Sequence, residues 1–387
     1  MLPDAFPWWG LLALATAAFT DVMTDLLPAG LLPQMSGALH VPEARVGLLF
    51  SAFAVASALA AIPVTAALRG LPRRPVLTGV LIGFALFDAV TALSSSYLLT
   101  FVARLLAGVM GGTLWSMLAG YAARMVPRRQ RGRATAVVLA GITVALCGGI
   151  PAGTALAGLF GWRASFAVLA GLALVLTAWI RWQVPALPGE APARRAPLRR
   201  VASAPGILAV LAVTLLLLTG HQAMYTYVAP FALRSGFGRT GLVLLVFGGA
   251  TVAGIWVTGL LADRYLRPVL LAALTMIAVA MLILGLAARD PAALLAAVAL
   301  WGAAFGGAPT LLQTALVDAS GPASADVATS LQTTVYNIGI AAGSLAGGLV
   351  LSGVGAAALP WVTLAFIAVA LSTVATARQH AFPRDRA

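Results

Sequence analysis

The chain has 387 residues, 61% of them hydrophobic and only 9% charged, with a mean hydropathy of +0.99. A soluble domain carries charge on roughly a quarter of its residues, so this composition excludes a water-facing globule and makes lipid the main solvent. The net charge is +13 and all 24 basic residues are Arg, but they fall in short clusters between apolar runs instead of on one soluble face, which excludes a nucleic-acid binder.

Crossing about 30 Å of hydrocarbon takes roughly 20 apolar residues. Twelve such runs occur, near 7–31, 45–68, 75–95, 98–122, 134–160, 163–184, 206–233, 240–262, 269–288, 292–317, 327–352 and 359–377. Backbone in lipid must satisfy its own hydrogen bonds, so the runs are helices. The alternating ten-residue segments of a membrane barrel do not occur. The first run is too long, and too polar at its centre, for a secretion signal, and is read as a mature span. Cys147 is the only cysteine, so neither an intrachain disulfide nor a cysteine metal cluster is expected.

Loop arginines set the orientation. With the N-terminus inside, 18 arginines fall in inner loops and 5 in outer ones, and only Arg104 lies within a span. That bias predicts both termini on the cytoplasmic side of a bacterial inner membrane. Residues 185–204 are rich in Pro, Ala and Arg and lack an apolar face. They read as a cytoplasmic linker between six-helix bundles at 1–184 and 205–387.

The halves repeat in order. Arg74-Pro75-Val76-Leu77 recurs as Arg267-Pro268-Val269-Leu270 at an offset of 193, and Gly47-Leu48 as Gly241-Leu242 at 194. Gly111-Gly112 is matched to Gly306-Gly307 at 195, and Trp162 to Trp361 at 199. An even number of spans per half gives both halves the same orientation, the parallel repeat of a two-bundle transporter. Such a carrier holds its substrate between the bundles near the midplane. The predicted fold class is an all-α polytopic membrane protein, with about twelve transmembrane helices in two pseudo-symmetric bundles.

Further segments point to a family. The run Thr24-Asp25-Leu26-Leu27-Pro28-Ala29-Gly30-Leu31-Leu32-Pro33 resembles the first-helix motif of proton-coupled drug and sugar efflux proteins of the major facilitator superfamily. The bacterial arabinose, chloramphenicol and purine-nucleoside exporters are the most similar branch. Matching segments include Arg104-Leu105-Leu106-Ala107-Gly108, Arg131-Gly132-Arg133-Ala134, Gly161-Trp162-Arg163, Tyr225-Thr226-Tyr227-Val228-Ala229-Pro230-Phe231, Leu300-Trp301-Gly302-Ala303 and Asn337-Ile338-Gly339. The resemblance implies the major facilitator fold, export of a small organic molecule by proton antiport, and a proton-transfer role for Arg104. It also likens Gly148-Gly149-Ile150-Pro151-Ala152-Gly153 to a motif of exporters. There is one departure. The loop between the second and third helices usually carries an Asp-Arg pair, whereas here it reads Leu68-Arg69-Gly70-Leu71-Pro72-Arg73-Arg74. The second-half copy keeps Asp263-Arg264, so a cytoplasmic latch is expected there.

Ionisable groups in mid-span are costly and usually functional. Asp21 and Asp25 stand one helical turn apart and share a face. Two carboxyls on one face in a low dielectric repel, the condition for reversible proton uptake. At 1.5 Å per residue, Asp25 and Arg104 both lie roughly 9–10 Å below the outer surface, so a reversible Asp25–Arg104 pair is expected. Asp88 is read as structural or helix-facing.

His221, Gln222, Tyr225 and Tyr227, with Trp115, Gln313, Gln332, Tyr336 and Asn337, are candidate liners of a central cavity. Aromatic walls with few polar groups suit amphipathic organic substrates. Gly339, Gly343 and Gly347 give the eleventh span a small face, the counterpart of Gly148, Gly149, Pro151 and Gly153 in gating or close packing. His221 has no companions for a metal site. Nothing in the sequence suggests an enzyme: the three histidines are scattered and no phosphate-binding loop occurs. A monomer driven by the proton gradient, without cofactor, is expected. A proton-coupled sugar or nucleoside importer is the alternative, since fold does not fix direction.

Overall fold

The computed structural model of the protein describes residues 6–61, 63–68, 70–127, 130–189, 206–320, 325–377 and 381–382. The first half comprises α1 (Trp8–Leu26), α2 (Pro28–Leu39), α3 (Glu43–Ala61), α4 (Pro63–Leu68), α5 (Arg73–Leu93), α6 (Tyr97–Arg124), α7 (Arg131–Val144), α8 (Ile150–Phe160) and α9 (Trp162–Gln183). The second comprises α10 (Ile207–Tyr225), α11 (Val228–Arg234), α12 (Thr240–Ala287), α13 (Pro291–Ser320), α14 (Ala325–Gly353) and α15 (Leu359–Thr376). Among the described residues, eleven helices are long and apolar enough to cross a membrane, and the bent pair α1/α2 makes a twelfth. The fold is all-α and polytopic, as the apolar runs predicted.

Prolines explain where spans break. Pro28 has no N–H to give the fourth carbonyl behind it, and α1 and α2 meet there at 45°. The fifth span carries one π-helical turn, Ala145–Gly149, just before Pro151. The seventh stops at Tyr225 and restarts at Val228, ahead of Pro230. The eighth and ninth spans run on as α12, kinked at Tyr265 (φ −130°, ψ 36°) before Pro268.

The chain divides into two compact units, Met1–Ala193 and Arg194–Ala387. The division falls inside the expected linker, of which 190–204 lies outside the described residues. The linker's first five residues pack on the first unit. Tyr121 Oη donates to the Pro185 carbonyl at 2.6 Å, Arg124 to that of Pro188 at 2.9 Å, and the Arg73 N–H to that of Leu187 at 2.9 Å.

Each unit has the same internal pairing. In the first, α1 packs on α7, α3 on α6 and α5 on α9. In the second, α10 packs on α14, and α12 on both α13 and α15. Glycines set the close approaches. A Cβ at Gly108 or Gly112 would run into the carbonyl of Phe53 or Ser57, and one at Gly302 or Gly306 into that of Phe247 or Thr251. Every member of the second set stands 194 positions after its counterpart. The contacts therefore correct one sequence match: Gly112 corresponds to Gly306 at 194, not to Gly307.

Arg74 and Arg267 also play matching parts. Arg74 Nη1 donates to the carbonyls of Arg181 (3.3 Å) and Val184 (3.4 Å) at the end of α9. Arg267 Nη2 donates to the Ala375 carbonyl (3.1 Å) at the end of α15. Helix C-termini leave carbonyls unpaired and negative, which a guanidinium satisfies. In the first half the Arg74 guanidinium thus anchors to backbone carbonyls. The expected Asp263–Arg264 latch involves side chains outside the described residues.

Candidate functional site

The mid-span charged residues of the first unit come together at the break in the first span. Arg104 on α6 is fully buried. Its Nη1 donates to the Thr24 carbonyl and its Nη2 to the Asp25 carbonyl at 3.2 Å. The Thr24 carbonyl would ordinarily accept the N–H of residue 28, but that residue is Pro28. The guanidinium takes the place of the missing donor. Its other face lies 4.8 Å from the Phe53 ring, a cation–π contact.

In this structure the expected reversible Asp25–Arg104 pair interacts electrostatically without a hydrogen bond between the side chains. The arginine is bonded to backbone oxygens, and among the described residues no hydrogen bond joins it to a carboxylate. The reason is the opened helix end, whose carbonyls lie nearer than the side chain. The carboxyls of Asp25, Asp88 and Asp21 interact electrostatically with the guanidinium. Asp21 is 2% exposed and Asp88 0%. Each of the three keeps one buried oxygen, Oδ1, without a hydrogen-bond partner, as does Arg104 Nε. Trp115 is in hydrogen-bonding reach of Asp21, and Thr24 Oγ1 donates to Asp88 Oδ2 at 2.8 Å. A Cβ at Gly111 would stand 2.7 Å from Asp21 Oδ1, so this glycine keeps the space in front of the carboxyl open. Asp88, expected to be structural, belongs to the cluster. Thr24 and Phe53 were missed by sequence reading. Pro28, four residues after Thr24 and opposite a buried Arg, was the available sign of the first.

The fifth-span glycines divide. Gly149 and Gly153 lie against Phe19, Met23 and Leu27 of the first span. Pro151 is half-buried on the same turn. Gly148 is exposed with nothing near its Cβ position, which removes it from the packing set, because the π turn rotates it off that face. Gly339, Gly343 and Gly347 all face α10, meeting Leu218, Thr219 with Gln222, and Ala223 with Tyr227.

The expected cavity liners of the second unit also divide. Consecutive helical residues are about 100° apart, so His221 and Gln222 face different neighbours. Gln222 packs beside Gly343 and donates to Thr226 Oγ1 at 3.1 Å. Tyr227 is fully buried and donates to the Ser344 carbonyl at 2.9 Å. Both residues are committed to α14. His221 and Tyr225 turn instead to an aromatic cluster with Phe247, Trp301 and Phe305. His221 stacks on Phe305 at 3.5 Å and 5°, and lies 5.3 Å from Trp301 and 5.4 Å from Tyr225. His221 Nδ1 and Trp301 Nε1 are buried without partners. Sequence reading missed Phe247, Trp301 and Phe305 as neighbours of His221. Elsewhere, Gln313 is exposed, Gln332 buried and Tyr336 half-buried, and Asn337 Nδ2 donates to the Thr333 carbonyl of its own helix. These four are not drawn into the cluster, and Trp115 stands beside Asp21 in the other unit.

Comparison with known proteins agrees with this architecture. A crystal structure described as a bacterial homolog to the human lysosomal transporter Spinster, inward-facing and unoccupied, superposes with a TM-score of 0.73 at 17% identity, covering 100% of this chain and 99% of that one. The family model of the Major Facilitator Superfamily matches residues 14–343 and 237–386. Twelve apolar spans, a repeat of six and a family match across nearly the whole length lead to one assignment: the chain belongs to the Major Facilitator Superfamily.

Proposed function

We propose that this transporter is an exporter of the drug:proton antiporter kind, moving a small drug-, sugar- or nucleoside-like molecule outward in exchange for protons by alternating access. It works as a monomer in a bacterial inner membrane with both termini cytoplasmic, and its driving force is the proton gradient. One observation carries the reading. Asp21 and Asp25 lie beside the buried Arg104 at the break in the first span, each with a buried oxygen that no donor satisfies. Buried carboxyls without full partners are costly to keep ionised, so binding and releasing protons is the chemistry open to them. The aromatic cluster around His221 supports an organic substrate with a flat apolar face. The packing of Gly149 and Gly153 on the first span supports export. The alternative, a proton-coupled importer of a sugar or nucleoside, gains from Gly148, which takes no part in that packing.

The test uses inside-out vesicles holding the protein, with an acid lumen, challenged with amphipathic drugs, sugars and nucleosides. Substrate-triggered alkalinisation of the lumen is expected, and its loss in Asp25→Asn. Undiminished proton-driven transport by Asp25→Asn removes that residue from coupling. Labelled substrate that enters cells with protons establishes the importer instead.

A further inference from the structure

Asp88 sits on the third span, away from the two first-span acids in sequence, and is completely buried. Its Oδ2 accepts one hydrogen bond, from Thr24 Oγ1, and its Oδ1 accepts none. The groups facing it are few. From α1 come Thr24 and Asp21, and from α6 comes Arg104. The arginines of α9, the third helix packed against α5, are engaged elsewhere: Arg163 donates to the Ser94 carbonyl at 3.0 Å, and Arg181 is exposed at the far end.

Three carboxyls therefore share a single guanidinium, whose own donors are spent partly on backbone oxygens. If all three were ionised, two charges would be uncompensated in a low dielectric, which is costly. One carboxylate suffices to balance Arg104, and protonating the others removes that cost. Asp88 has one neutral donor, an unsatisfied Oδ1 and no solvent, so its charge is costly to keep. Thr24 ties it to the break of the first span. The Thr24 hydroxyl bonds Asp88 while its carbonyl bonds Arg104, and it stands at the break of the first span.

We propose that Asp88 is a third proton-exchanging carboxyl of this site, linked to Arg104 through Thr24. Proton uptake forms an Oδ1–H bond and neutralises the carboxylate. Release breaks that bond and leaves a charge that Arg104 compensates, while the Thr24 hydroxyl keeps its own proton in both states. The proposal rests on the proton-coupling reading of Asp21 and Asp25 and adds a group on a different helix.

Infrared difference spectra, recorded across a pH titration of the purified full-length protein, read the C=O stretch of protonated carboxyls without any substrate. The wild type is expected to show titrating carboxyl bands, of which Asp88→Asn removes one. Thr24→Val should move that band to a different pH, and Thr24→Ser should return it. A folded Asp88→Asn with a wild-type spectrum overturns the proposal, while bands lost in Asp21→Asn or Asp25→Asn keep the broader reading. If no Asp substitution changes the spectrum, both fall. Should Asp88→Asn fail to give monodisperse protein, the Thr24 pair decides: a band that moves in Thr24→Val and returns in Thr24→Ser supports the proposal, and one that stays in place overturns it.

Discussion

The packing of the eleventh span on the seventh can be tested at Gly347. A Cβ there would stand 2.6 Å from the Ala223 carbonyl oxygen and 2.8 Å from the Tyr227 ring. Ordinary contact begins near 3.4 Å, so in Gly347→Ala the two helices must part by about 0.8 Å. That shift lengthens the Tyr227–Ser344 hydrogen bond from 2.9 Å to about 3.7 Å, beyond the range in which it counts as one. Overpacking costs about 1–3 kcal/mol and the lost interhelical bond about 0.6 kcal/mol. The better helix propensity of Ala returns about 1 kcal/mol. The net loss is about 2 kcal/mol, or roughly 4–8 °C for a unit of this size. Thermal unfolding in detergent, followed by tryptophan fluorescence, measures it. Gly148→Ala is the control, because nothing lies within 4 Å of its Cβ position, and its melting temperature should match or slightly exceed the wild type. Tyr227→Phe combined with Gly347→Ala should be less than additive, since both remove the same bond. A Gly347→Ala protein that melts within a degree of wild type, or no lower than Gly148→Ala, refutes the argument.

Further outcomes follow from other contacts. Arg267→Ala should lower the melting temperature more than Arg74→Ala, since Arg267 is 7% exposed and Arg74 half-exposed; each loses hydrogen bonds worth about 1 kcal/mol apiece, and equal or absent effects would deny the end-capping role. His221→Phe should leave stability unchanged or raised, because it keeps the stack on Phe305 and removes an unpartnered nitrogen; a fall above about 1 kcal/mol would show that the nitrogen is bonded. Gly111→Ala should reduce proton-driven transport several-fold in the vesicle assay, because its methyl would stand 2.7 Å from Asp21 Oδ1 and 2.9 Å from the Phe53 ring against Arg104; wild-type transport would mean that the space before Asp21 is idle.

The spans were legible because lipid imposes one rule everywhere, so hydropathy alone located them. The breaks were less legible, although Pro28, Pro151 and Pro230 stood in plain view, because a proline in a span bends, breaks or merely crowds the helix depending on its neighbours. The charged residues were found by their cost, but their partners were not. Depth along a helix placed Asp25 and Arg104 at one level, yet the guanidinium went to the carbonyls that Pro28 had left unpaired. That Asp88 joins the cluster was not legible, because one sequence does not show which face of the third span meets the first. The polar groups of the seventh span were grouped by proximity in sequence, whereas helical geometry sent Gln222 and Tyr227 to one neighbour and His221 and Tyr225 to another.

The repeat explains why the two units can share a scaffold and still differ in chemistry. His221 and Tyr225 stand 200 positions after Asp21 and Asp25, and Tyr227 the same distance after Leu27, each at its own helix break. Phe247 follows Phe53, Phe305 follows Gly111, and Val298 follows Arg104, all at 194, while Met281 follows Asp88 at 193. At these positions the first unit holds three acids, a guanidinium and a glycine beside one phenyl ring. The second holds imidazole, phenol, thioether and two phenyl rings, with both Val298 and Met281 buried. Gly108 and Gly112, which set the spacing of α3 and α6, recur at 194 as Gly302 and Gly306, while the side chains at the site differ. Arg104 has no counterpart because its counterpart would have no acid to balance, and a buried Arg without one is costly. Charge is thus gathered in one unit and aromatic surface in the other, which is the partition that the proposed exchange of protons for an organic molecule would require.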